Sequence, residues 1–413
     1  MKILISAYAC EPDKGSEPGV GWHWVEEISR YHDVIVITRH NNRPSIEKEL
    51  QQRTGGHNIE MLYYDPPKWL TFWKKGSKGV QIYYYIWQYG AYQYVKNNVR
   101  KNELGAVVAV TFGNLWKPTF MYKLEVPLIW GPVGGGEEVP KSLLPCISSK
   151  QRVFEFFRRF SKRVPLSNPW FYTICRKSNL IITRTYDSLS CIPLIYRNKC
   201  QVMIETGVDE DEYRQYMKIG CKPSESKNIT YVGRLLSLKM VDISLRAFAS
   251  IASKHSDITY NIIGDGEMRR NLENLAKELG ILDRVKFWGT LSREEALSIL
   301  ANSRCLVMPS CKEGGAWVLF EAMMCGRPIV CMDTAGMKVV VDESCGIKIP
   351  VDSYHVLVER FGNAMERIVT DSEEADKLGA NGREYVRNHY LWHKKGDELE
   401  IMLKDVLNED IDG

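Results

Sequence analysis

At 413 residues the chain exceeds what one hydrophobic core usually supports, which predicts two domains of roughly 200 residues each. Apolar, charged and aromatic fractions of 44%, 26% and 11% exclude a disordered or low-complexity chain, and a net charge of +4 gives no electrostatic case for nucleic acid. Eleven cysteines with no C-x-x-C pair exclude a disulfide framework and a structural zinc and point to a reducing compartment, and no apolar run approaches the ~20 residues that span a bilayer.

In chain order, KILISAY reads as a buried strand rather than as part of a lipoprotein signal. CEPDKGSEPGVG then reads as a Gly/Pro/Ser loop, WHWVEEISRY as a helix and DVIVIT as a second strand. Further strands are expected at 106–112 (AVVAVTF), 127–132 (PLIWGP) and 180–185 (LIITRT). After a polar, turn-rich stretch at 205–225 the rhythm restarts with ITYVGR, a helix from Val241 to Ala252, ITYNIIG, and a helix from Met268 to Leu279. VKFWG, a helix from Arg293 to Ala301, CLVMPS, a helix opening near Leu319, and PIVCMD complete it. Two βα halves of parallel-sheet type, 1–205 and 206–390, account for this order, and no repeat suggests a solenoid or propeller.

Two stretches of the first half mix aromatic and basic residues. From Pro67 to Arg100 the rings at helical spacing, Tyr83 to Tyr94 among them, are read as core or domain packing. In QRVFEFFRRFSKRV (151–164), apolar positions 153, 154, 156, 157 and 160 stand against Arg152, Arg158, Arg159, Lys162 and Arg163, the pattern of an interfacial helix on anionic lipid. The competing account packs these phenylalanines into the first domain and leaves the cations solvated. Nucleic acid is disfavoured because no recognition module accompanies the basic residues.

The chemistry concentrates in SCKEGGAWVLFEAMMCGRPIV (310–330), where Glu313 and Glu321 stand on either side of seven residues, directly after a buried strand and across a helix start. A carboxylate at the end of a parallel strand faces the crevice where such sheets bind ligands, and free N–H groups at the helix start can hold an anion.

This segment resembles the E-x7-E motif of the retaining GT-B-fold glycosyltransferases of family 4, down to E-A-M and G-x-P-I-V. YVGRLLSLKMVD (231–242), IIGDGEMRRNLENLAKELGILDRVKFWGTL (262–291) and ETGVDEDEY (205–213) resemble further elements of that family in the same order. The resemblance implies an α/β fold of two facing Rossmann-like domains with an interdomain cleft, the terminal helix 391–413 crossing back to the first. It implies sugar transfer from a nucleotide diphosphate sugar to an acceptor hydroxyl with retained configuration, without cofactor or bound metal. The acceptor expected is a lipid-linked or cell-surface glycan, and the place the cytoplasm, peripheral on the inner leaflet.

By the same resemblance Arg234 and Lys239 stabilise the diphosphate, Glu321 accepts from the ribose hydroxyls, and Glu313 holds the donor-sugar hydroxyls. Gly233, Gly314, Gly315 and Ala316 supply close backbone approach, Gly264 either does the same or only makes a tight turn with Gly266, and the strand end with Trp288 and Leu291 faces the base. Gly15 and Ser16 stand where the family has a Gly-Gly loop. The family's histidine at the end of an N-domain strand is missing from AVVAVTFGN, leaving Thr111, Asn114 and Glu137 as substitutes. Ala335-Gly336 replaces a Gly-Gly, and Met240 replaces a glycine. Two other classes stay open: a non-catalytic sugar-nucleotide-binding partner subunit, and a dinucleotide oxidoreductase, against which the first strand lacks an immediately following G-x-G-x-x-G.

Overall fold

The computed structural model describes residues 2–409 other than 54, 56, 75, 77, 78, 111, 118, 164–168 and 220–225, and without the side chains of 160–163 and 409. The chain divides into two units. The first comprises Met1–Gly136, Arg163–Gly207 and Trp392–Gly413, the second Glu137–Lys162 and Val208–Leu391.

The first unit holds a seven-stranded parallel sheet of β1 (Lys2–Ala7), β2 (Asp33–Thr38), β3 (Ile59–Tyr63), β4 (Leu104–Val110), β5 (Leu128–Val133), β6 (Leu180–Thr183) and β7 (Cys200–Val202). Its order is β3-β2-β1-β4-β5-β6-β7, with Ile5 opposite Val108 where the winding reverses. β4 and β5 read as near-continuous apolar runs because both faces are covered. One face packs against the helix Val80–Asn98 through Tyr83, Tyr84, Trp87 and Tyr92, so those aromatics are core. The other packs against the helices Ser16–Ile28 and Trp392–Glu409 through Trp22, Trp24, Trp392 and Leu399. His23 stacks on Trp392 with ring centres 4.6 Å apart, a packing role.

The second unit repeats the plan with six strands, β8 (Ile229–Val232), β9 (Tyr260–Ile263), β10 (Val285–Gly289), β11 (Cys305–Met308), β12 (Ile329–Met332) and β13 (Gly346–Ile349). The order is β10-β9-β8-β11-β12-β13, again parallel, and the winding reverses between β8 and β11. In an open parallel sheet, ligands bind outside the carboxyl ends of the strands at such a reversal.

Several boundaries differ from expectation. The first helix opens at Ser16, inside the stretch read as a loop, with Gly15 as its N-cap and Pro18 in its first turn, where a missing N–H costs nothing. β3, β7 and β13 were not expected. Residues 137–162, assigned from sequence to the N-terminal domain, group with the second unit, where the buried Glu155 of the helix Ser149–Arg163 pairs with Lys312. No helix among the described residues is long and apolar enough to cross a membrane.

Candidate functional site

The carboxyl edge of the second sheet is built from backbone in close approach. Gly264, after β9, has φ +128°, and a Cβ there would lie 2.0 Å from the carbonyl oxygen of Gly233, just beyond β8. Leu235 N–H donates to the Asp265 carbonyl at 2.9 Å, locking the two loops together. The GDG turn is therefore a packing device that fixes the path of residues 233–235. Arg234 is exposed at that edge. The chain then makes a short turn at Ser237–Lys239, passes Met240 in the left-handed region at φ +49°, and enters the helix Val241–Ala252.

The turn brings Lys239 to the loop after β11. The Lys239 ammonium is ion-paired and hydrogen-bonded to Glu313 Oε2, both side chains being mostly buried. Three main-chain contacts hold this loop. Cys311 N–H donates to Leu238 O at 3.1 Å, Gly336 N–H donates to Glu313 O at 2.8 Å, and a Cβ at Gly336 would meet the Gly315 nitrogen at 2.4 Å. The family-like Gly-Gly is thus kept where the backbones touch, while Ala335 occupies the left-handed region at φ +49°, where glycine costs less. Gly314 has open space around it, and Ala316, the N-cap of the helix Trp317–Met324, offers no side-chain acceptor to the helix's free N–H groups.

Glu321, in that helix, belongs to a separate network. Its Oε1 accepts from Arg293 Nε at 2.9 Å and from the Tyr216 hydroxyl at 3.1 Å, and Arg293 also pairs with Glu212. Burial pushes the Glu212 carboxyl up against the pull of Arg293. Burial and the Glu321 charge both push the Tyr216 hydroxyl up, so it stays a donor. Burial works against the Arg293 guanidinium, but the hydrogen bond to Glu321 and its other partners raise it overall. Sequence reasoning missed Arg293, Tyr216 and Glu212, which lie far from Glu321 in sequence.

Of the other candidates in this unit, Trp288 donates from Nε1 to Asn261 Oδ1 at 3.0 Å and carries the Lys286 ammonium 3.4 Å from its ring centre. Leu291 stands two residues past β10. The structure brings together Gly233, Arg234, Lys239, Gly264 and 313–316, and joins the end of β10, which carries Trp288, to Gly264, whose N–H donates to the Gly289 carbonyl at 2.8 Å.

In the first unit, Gly15 caps its helix and Ser16 is left-handed at φ +62°. Thr111 lies outside the described residues. Asn114 accepts from Trp116 N–H at 2.9 Å and bridges to Gly134, so it shapes the loop after β4. Glu137 is 9% exposed and opens the stretch grouped with the second unit. An unexpected acidic–basic chain lies in the first unit: Glu17 accepts from Phe112 N–H at 2.7 Å and from Arg184 at 3.2 Å, and Arg184 reaches Glu205 at 3.0 Å. Burial raises the Glu205 carboxyl while Arg184 lowers it. Among the described residues, no three His, Cys, Asp or Glu side chains are grouped to hold a metal ion.

Residues 213–385 match the family described as glycosyl transferases group 1. Alpha-D-kanosaminyltransferase of Streptomyces kanamyceticus is 29% identical over 179 residues, 43% of this chain and 45% of that protein, so the match spans about half of the relative. Among solved structures, Anabaena HepE in complex with UDP and glucose superposes with a TM-score of 0.55 at 15% identity over 98% of this chain and 100% of that one. The lipopolysaccharide outer core galactosyltransferase WaaB superposes with a TM-score of 0.58 at 15% identity over 98% and 100%. At these identities the likeness is one of fold: two Rossmann-like units of the GT-B class.

Proposed function

We propose that this chain, whose residues 213–385 match the group 1 glycosyltransferases, transfers a sugar from a nucleoside diphosphate sugar to an acceptor hydroxyl, with retained anomeric configuration. The observation that carries this reading is the Lys239–Glu313 pair at the carboxyl edge of the second sheet, beside exposed Arg234 and an uncapped helix start. Breaking a glycosyl–phosphate bond puts negative charge on the leaving diphosphate and positive charge on the anomeric carbon. A donor divides the ion pair: its diphosphate takes Lys239 together with Arg234 and the helix N–H groups, and its sugar hydroxyls donate to Glu313. These protein cations carry the charge that a metal carries elsewhere, so no metal or cofactor is invoked. Glu321, held by Arg293 and Tyr216, takes the ribose hydroxyls. The UDP and glucose held by the Anabaena protein of like fold support a nucleotide-sugar donor.

The acceptor we infer is lipid-linked or part of a surface glycan, met at the cytoplasmic face of a membrane. WaaB, of the same fold, acts on lipopolysaccharide outer core. Val153, Phe154, Phe156 and Phe157 are exposed rather than packed into a core, which favours the interfacial account of residues 151–164. The cations contribute less than their number suggests, because Arg158 pairs with Glu155 and Arg159 with Glu138, while Lys162 and Arg163 lie outside the described side chains. Flotation with anionic vesicles should therefore fail when Phe154, Phe156 and Phe157 become Ser, and should weaken with salt only modestly. Unchanged flotation of that variant would take these phenylalanines out of the attachment, and failure of the wild-type chain to float with anionic vesicles would point to a soluble acceptor.

The activity itself is tested with UDP-, GDP-, ADP- and dTDP-glucose, following nucleotide release and the anomeric configuration of the product by NMR. One donor should be cleaved with the α-linkage retained. Tight nucleotide binding without turnover would favour a non-catalytic partner subunit, and an inverted product would overturn the retaining assignment.

A further inference from the structure

The helix Ser149–Arg163 presents its faces in reverse. Val153, Phe154, Phe156 and Phe157 are 57%, 60%, 68% and 63% exposed, whereas Glu155, its only acidic residue, is fully buried. A buried carboxylate persists only where it is paired and hydrogen-bonded. Glu155 Oε1 accepts from Lys312 Nζ at 2.7 Å, with Gln151 Nε2 at 3.5 Å and Arg158 at 3.7 Å, and its Oε2 has no hydrogen-bond partner among the described residues. Lys312 immediately precedes Glu313.

The stretch 311–313 is therefore held at each residue. Cys311 is bonded to the Leu238 carbonyl and Glu313 to the Gly336 N–H, both main-chain bonds among the sheet-edge loops. The anchor at Lys312 is a side-chain ion pair to a separate helix. Its removal has a local consequence that the main-chain bonds do not prevent. Lys312 and Lys239 flank Glu313; Lys239 is paired with it, and Lys312 with Glu155. Without the pair the loop loses its side-chain anchor beside Glu313 and the carboxylate its single orientation, and where Lys312 itself remains its ammonium also competes for that carboxylate or for an incoming diphosphate.

We propose that Glu155 is a positioning residue for transfer, acting through Lys312 to fix Glu313 and to keep the second lysine off the donor. The proposal rests on the reading of Glu313 as the sugar-holding carboxylate. A misplaced group near the reacting centre lowers turnover more than it lowers affinity.

The test uses the full chain with the glucose donor of the panel above that is cleaved fastest, and the matching free nucleoside diphosphate for affinity. Glu155→Gln and Lys312→Met should each lower kcat by about 10- to 100-fold, leave nucleoside diphosphate affinity and acceptor KM within about twofold, and raise hydrogen exchange at 311–316. Lys312→Arg, which keeps the charge-assisted bond, should retain most of kcat. Glu155→Met combined with Lys312→Met removes both charges at similar volume, and should be no slower than either single variant because the two act as one unit. Lys312→Met reads the same coupling should Glu155→Gln fail to fold. Wild-type kcat in Lys312→Met, or equal loss in Lys312→Met and Lys312→Arg, overturns the proposal. A lowered melting temperature with kcat unchanged below it does the same, since that is a purely structural pair. Glu313→Ala separates the two layers: if it transfers normally the reading of Glu313 is wrong, whereas its loss beside a normal Lys312→Met defeats the coupling alone.

Discussion

Glu313 and Glu321 share one motif but not one environment: the first faces a lysine from the loop after β8, the second an arginine and a tyrosine from two other helices. The roles follow from those partners. Arg234→Ala and Lys239→Ala should each lower turnover by about 100-fold or more, the scale of losing a preorganised electrostatic group. Near-wild-type kinetics in both would remove the diphosphate from this edge. Glu321→Ala should weaken free nucleotide, and so should Arg293→Ala, because it frees the carboxylate to turn away from the ribose. Glu313→Ala should spare nucleotide affinity and cut transfer, since in the proposed reading it meets the donor only at the sugar. Isothermal titration with the nucleoside diphosphate tells these apart, and equal weakening in Glu313→Ala and Glu321→Ala would refute the division. The two glutamates were legible because their spacing is local. Arg293 and Tyr216 were not, because they reach Glu321 only through tertiary packing, and neither spacing nor composition marks them.

At the scale of elements, the buried strands of the second half stood out because both faces are covered and their apolar runs are continuous; CLVMPS contains β11 and PIVCMD contains β12, and Val241 to Ala252 coincides with its helix. β3, β7 and β13 were missed for the converse reason. They lie at sheet edges, are half exposed, and carry mixed runs such as IEMLY and GIKI that resemble loop sequence. The helix Ser149–Arg163 was recognised as amphipathic with its phenylalanines outward, but the burial of Glu155 was not legible, because its partner lies 157 residues away. The loop after β12 gives a paired prediction. Ala335→Gly relieves a left-handed alanine and should raise stability by about 1 kcal/mol. Gly336→Ala drives a Cβ into the 313–315 backbone and should cost about 1–3 kcal/mol, with nucleotide-sugar turnover falling as the Glu313 loop shifts. Urea melts of the two variants check the signs. Equal and small effects would mean that the close approach of these loops is not tight in solution.

For the whole molecule, two units were legible from the restart of the βα rhythm, but the grouping of 137–162 with the second was not, because it depends on tertiary proximity rather than on local pattern. The terminal helix Trp392–Glu409 is part of the first unit and carries a fully buried lysine, Lys395, whose ammonium donates to the Ile204 carbonyl at 2.6 Å. Burial pulls its pKa down from 10.5 to about 8. The unfolded chain therefore binds more protons than the folded one between about pH 8 and 10.5, and stability contributed by this group rises with pH across that window. Lys395→Met should be more stable than wild type at pH 7, with the difference shrinking by pH 9.5. A difference that does not change with pH would show that Lys395 is not desolvated as described. The central claim is that the carboxyl edge of the second sheet holds a nucleoside diphosphate through Arg234 and Lys239. Calorimetric titration of UDP, GDP, ADP and dTDP into the wild-type chain and into Arg234→Ala with Lys239→Ala tests it most directly. One nucleotide should bind the wild type and lose about 100-fold or more in affinity in the double variant, whereas undiminished binding in that variant, or no binding of any of the four to the wild type, would contradict it.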